Sequence, residues 1–124
     1  MQEGVGEGLF FDSTAARATL FNTPTNNPFI VIAQFQSTLD SKKLMSIVGE
    51  EILESNEEEC IDITGHEKEF LPPISIYEIK IIIDKSLEKK NYLFFRIDKK
   101  KFLKVSMKAI VETNTEVSFE KVTR

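Results

Sequence analysis

Ile74-Ser75-Ile76-Tyr77-Glu78-Ile79-Lys80-Ile81-Ile82-Ile83-Asp84-Lys85-Ser86-Leu87-Glu88-Lys89-Lys90-Asn91 is the stretch on which the fold turns. Read as a helix, Ser75 and Glu78 make a capping box, and Ile74 and Ile79 make a hydrophobic staple. Ile76, Ile79, Ile82, Ile83 and Leu87 then form one apolar stripe. Lys89 and Lys90 fall in the last turn, where cations offset exposed carbonyls, and Asn91 stops the helix. Read as a strand, Tyr77, Ile79, Ile81 and Ile83 alternate, and β-branched isoleucine favours extended backbone. Four separate signals agree on the helix and one on the strand, so a helix is predicted here.

Upstream, Phe29-Ile30-Val31-Ile32-Ala33-Gln34-Phe35 is a continuous apolar run with the pattern of a buried strand. Asn22 to Pro28 is a loop. Asp40 is an N-cap candidate, and Leu44, Ile47, Val48 and Ile52 lie on one helical face. That helix is predicted to end at Asn56. Cys60 to Thr64 is predicted as a strand, and Ala15 to Ala18 as one or two helical turns behind Asp12-Ser13-Thr14. Leu9-Phe10-Phe11 adds a short strand. Downstream, Tyr92–Ile97 and Phe102–Val111 are predicted strands about a polar Asp98–Lys101 turn, with a last strand beginning at Val117.

The expected fold is α+β: one mostly antiparallel sheet with two main helices packed on one face, in the order β-α-β-α-β-β-β. Gly4, Gly6 and Gly8 make residues 1–8 an expected flexible arm ahead of a single domain, 9–124. The length, 124 residues, suits one domain. A lone cysteine, Cys60, excludes an intrachain disulfide and favours a reducing compartment, so a cytoplasmic protein is expected. No positively charged leader and no long apolar run point to secretion or to a membrane.

Catalytic motifs are absent. One histidine excludes every two-histidine metal motif, and no G-x-S-x-G elbow occurs. Cys60 and His66 read as a buried thiol and a loop histidine. Glu50, Glu51, Glu54, Glu57, Glu58 and Glu59 read as a solvated acidic face, so no catalytic residue, metal or cofactor is assigned.

Charge is lopsided. The net is −4, yet residues 76–124 hold 12 basic and 7 acidic side chains, while 1–75 hold 4 and 13. Arg96, Lys99, Lys100, Lys101, Lys104 and Lys108 lie on or beside one predicted hairpin, with Tyr92, Phe94, Phe95 and Phe102 interleaved. Cations for phosphates and rings for bases are the ingredients of an anion or nucleic-acid site. Tyr77 and Ile81 lie off the main stripe of the predicted helix and would form an exposed apolar surface. On these grounds the expected function is a non-enzymatic protein-interaction module: an adaptor, an inhibitor or a regulatory subunit. Its partner is another protein or a second copy of itself, as a homodimer. The alternative is a nucleic-acid-binding regulator that uses the hairpin at 96–108.

Overall fold

The computed structural model describes residues 2–5, 14–73, 79–114 and 116–124. Strand β1 (Gln2–Val5) is followed by β2 (Ala15–Asn22), β3 (Phe29–Gln34), helix α1 (Ser41–Val48) and the two-residue β4 (Leu53–Glu54). Helix α2 (Glu57–Thr64), β5 (Lys80–Asp84), β6 (Tyr92–Arg96), β7 (Lys101–Ser106), α3 (Met107–Thr113) and β8 (Val117–Glu120) complete the chain. The fold is α+β. One mixed sheet runs β1-β7-β6-β2-β3-β5-β8, with β4 paired to β2 off this path.

The isoleucine run is a strand. β5 lies between β3 and β8, parallel to both. Ile81 and Ile83 enter the core under α2 and α3, while Ile82 enters the core under α1. A helix would bury one stripe of these side chains and leave the rest wet. A strand covered on both faces buries them all, and this gain outweighs the local helix signals. The capping-box and staple residues 74–78, Tyr77 among them, lie outside the described residues. Ile81 is fully buried, so it forms no part of an exposed interaction surface.

Other boundaries moved for local reasons. Asp40 caps α1 as expected, its carboxylate accepting from the Lys42 and Lys43 amides. The helix stops at Gly49, whose φ of 86° is left-handed and cheap only for glycine. Asn56 starts a helix rather than ending one: it forms a capping box with Glu59, and Glu57 to Glu59 sit in the first turn of α2. Cys60 to Thr64 is therefore helical. Ser106 accepts from the Ala109 amide and converts the end of the expected long strand into α3. Ala15–Ala18, expected as helical turns, form the start of β2. Gln2–Val5, inside the arm expected at residues 1–8, pair antiparallel with β7. The Leu9–Phe11 strand lies outside the described residues.

The core has two layers. The larger lies between the sheet and helices α2 and α3, with Leu20, Ile30, Leu93, Phe95 and Ile110 fully or almost fully buried. The smaller lies under α1, where Leu44 meets Phe21, Phe29, Val31, Ile82 and Val122. Helices thus cover both faces, and α1 stands alone on its side.

Asp84 is a buried carboxylate at the end of β5. It accepts from the Ser86 amide and hydroxyl, from the Val122 amide at 3.0 Å and from the Thr123 hydroxyl at 3.2 Å. Burial works to raise its pKa, but these donors together hold it below the usual aspartate value.

Two tests follow from this packing. Ile81→Ala should cost about 2–5 kcal/mol in urea unfolding; an unchanged midpoint would return Ile81 to the surface. Asp84→Ala leaves buried donors unpaired, at about 1–3 kcal/mol each. Because the folded pKa is depressed, the Asp84 contribution is full above the usual aspartate pKa of about 3.9 and fades as pH falls through the folded value. Acid titration of unfolding should show this loss in the wild type and a smaller one in Asp84→Ala.

Candidate functional site

β2 and β6 run parallel for only two residue pairs, Ala15↔Phe94 and Ala16↔Phe95. β6 then ends at Arg96, while β2 continues to Asn22. In open sheets, ligands bind in the crevice beyond the carboxyl end of a strand where neighbours part. A cleft of about 430 Å³ opens at this point. Its lining includes Arg17, Ala18 and Thr19 from β2, Arg96 from β6, and Phe35 just past β3. Glu54 of β4, Glu57 of α2, and Lys68 and Glu69 complete it.

Alternation along β2 places Arg17. Ala16, Ala18 and Leu20 point into the larger core, so Arg17, Thr19 and Phe21 face the α1 side. Arg17 is the one exposed residue of the strand. Its guanidinium carbon sits 6.0 Å from the centre of the Phe35 ring, a cation–π distance. Arg96 donates from Nε to the Asp98 carbonyl at 3.3 Å and from Nη2 to the Lys99 carbonyl at 2.9 Å. The cleft is thus fixed to the turn between β6 and β7.

The acidic side of the cleft is organised by Lys68. Its ammonium is 2.6 Å from Glu54 Oε2, and its amide donates to Glu57 Oε2 at 3.2 Å. The Glu54 hydrogen bond raises the Lys68 pKa and keeps the ammonium charged. Behind this rim, burial pushes the Cys60 thiol up; Lys68 pulls the other way, while Glu57, Glu54 and Glu59 add to the rise. Three cations and three carboxylates therefore line one crevice.

The expected basic set is not one patch. Arg96 lines the cleft. Lys99 lines a separate, more open cavity of about 490 Å³ together with His66, Phe70 and Asp98. Lys100 and Lys101 stand exposed at the turn. Lys104 lies on β7 with its Nζ 4.3 Å from the Tyr92 ring centre. Lys108 lies on α3, 3.9 Å from Glu112. Of the interleaved aromatics, Phe95 and Phe102 are buried, while Tyr92 and Phe94 lie on the α1-side face. Sequence reasoning missed Arg17, Lys68 and Glu69. A lone arginine in an otherwise small and apolar segment, Ala15-Ala16-Arg17-Ala18, was the available signal.

A mixed sheet with helices on both faces and a charged crevice where two parallel strands separate defines the architecture of the domain. More specifically, residues 10–108 match the family described as the aminoacyl-tRNA editing domain, and the chain belongs to that family. This overturns the expected interaction module, whether adaptor, inhibitor or regulatory subunit, and the regulator alternative with it. No curated protein matches the sequence.

Solved structures share the fold. One is described as a "putative trans-editing enzyme for prolyl tRNA synthetase": 14% identity, TM-score 0.79, covering 90% of this chain and 71% of that one. Another is described as hypothetical protein APE2540: 16% identity, TM-score 0.78, covering 90% of this chain and 75% of that one. A third, described as a "Putative signal transduction protein" from Marinobacter aquaeolei VT8, has 11% identity and TM-score 0.78, covering 98% of this chain and 27% of that one. Identities this low establish the common fold alone. Among the described residues, no helix is long and apolar enough to cross a membrane.

Burial of Cys60 sets a check on this geometry. Native protein should react slowly with iodoacetamide at pH 8, and reaction should accelerate on unfolding. Fast alkylation of the folded chain would place the thiol in the open cleft instead.

Proposed function

We propose that the protein hydrolyses the ester bond of misacylated tRNA in the cleft between β2 and β6. The supporting observation is the mixed charge of that cleft, which lies within the family-matched segment. An aminoacylated RNA end carries an α-ammonium beside the ester and phosphates a few bonds away. Carboxylates suit the first and guanidinium groups the second. A volume of about 430 Å³ is at the small end for ligand pockets and suits an aminoacyl group with its ribose.

In this reading Arg17 faces the ester carbonyl and Arg96 the terminal phosphate. Glu69 holds the ammonium or takes the proton, since Glu54 and Glu57 are engaged by Lys68. A water oxygen bonds to the carbonyl carbon and its proton passes to a carboxylate. The carbon–oxygen bond to the ribose then breaks, and the ribose oxygen recovers that proton. Free amino acid and free tRNA are released. Arg17 lowers the barrier by meeting the charge that grows on the carbonyl oxygen. The fold shared with the structure described as a "putative trans-editing enzyme for prolyl tRNA synthetase" accords with this reading. An aminoacyl-tRNA partner also accords with work in the cytoplasm.

The test is deacylation measured across a panel of correctly and incorrectly charged tRNAs. Wild type should cleave a subset of the mischarged species. Arg17→Ala should lose about 10²- to 10³-fold in rate, the usual effect of removing one oxyanion donor. Arg17→Lys should fall between, and Lys108→Ala, remote from the cleft, should match wild type. A wild-type protein inert on every charged tRNA would overturn the activity.

A further inference from the structure

We propose that the α1-side face of β6 guides the single-stranded 3′ end of an RNA toward the cleft, with Tyr92 as a stacking platform and Lys104 as a phosphate contact. The inference rests on the editing reading, because it takes the cleft as the place where the acylated end is held.

Period-2 alternation divides β6. Leu93 and Phe95 are buried in the larger core. Tyr92, Phe94 and Arg96 therefore share the opposite face. Tyr92 keeps 37% of its surface exposed. It stands edge-on to Phe94 with ring centres 5.4 Å apart, which fixes its orientation. Lys104 pairs with Phe94 across the β6–β7 ladder, and its Nζ lies 4.3 Å from the Tyr92 ring centre. A ring held from the side, with an ammonium over one of its faces, can take one base by stacking on the other face and one phosphate by charge. Arg96, four residues along the same face, ends the strand inside the cleft. At about 3.3 Å per residue the two ends are roughly 13 Å apart, a span that a short single-stranded end bridges.

Charge supports an RNA occupant over a protein one. The chain as a whole carries −4, but its acidic residues concentrate before residue 76, and the part that includes β6, β7 and α3 has an excess of cations. A simple cation–π clip that only steadies the hairpin would use the same two residues, and binding separates the two cases.

The experiment uses the full chain and a labelled single-stranded oligonucleotide matching the last nucleotides of a tRNA acceptor strand, titrated at several salt concentrations. Tyr92→Ala should weaken binding about five- to a hundredfold, and Tyr92→Phe should retain it. Lys104→Ala should lower the slope of log affinity against log salt by about 0.7. On acylated substrates, Tyr92→Ala should cost more kcat/KM with aminoacylated RNA than with an aminoacyl ester of adenosine alone. If Tyr92→Ala does not fold, the Lys104 salt slope carries the test. Wild-type affinity in Tyr92→Ala, or no oligonucleotide binding at low salt, would overturn the track while leaving hydrolysis free to stand. Tyr92-dependent binding without ester cleavage would keep the track and sink the editing reading.

Discussion

The brevity of the β2–β6 ladder governs the rest of the structure. Two residue pairs join the β1-β7-β6 side of the sheet to the β2-β3-β5-β8 side. A longer parallel ladder would close the crevice, and a missing one would split the sheet. The small side chains of Ala15 and Ala16 allow the close approach, and Phe95 then seals the larger core beneath it. Beyond the second pair, β2 presents Arg17 to solvent in a strand that is otherwise buried apart from its last residue. The charged cleft is the direct result of strands that pair briefly and then part.

How much of this is legible in the sequence differs by element. Phe29–Gln34 is read correctly because a strand buried on both faces leaves an unbroken apolar run. Asp40 is read correctly because capping is local chemistry. The stretch from Ile79 to Asp84 is misread because its helix signals are local, whereas its neighbours β3 and β8 come from distant parts of the chain. Asn56 shows a subtler failure: it is a terminus signal, but it begins α2, and Gly49 ends α1 seven residues earlier.

The site is less legible still. Arg96 was found by its place in a basic cluster, yet the cluster dissolves in three dimensions and Arg96 works with Arg17, 79 positions away in sequence by their own numbering. Lys68 is one of only four basic residues before position 76, and its meaning lies in the Glu54 contact rather than in any motif. Catalytic motifs are built on spacing. A cleft assembled from β2, β4, β6, α2 and the segment after α2 has no spacing to detect.

The outermost ladder has a consequence for how quickly the molecule forms. β1 meets β7 in the register Gln2↔Lys104, and β3 meets β5 across about fifty intervening residues. Closing loops of this size costs entropy before the new contacts repay it. The β2–β3 and β6–β7 hairpins can assemble early, since each joins neighbours in sequence. The crevice itself cannot exist until both hairpins have met. Non-local pairings of this kind slow folding relative to a helical domain of the same size. The cleft is among the last features to appear.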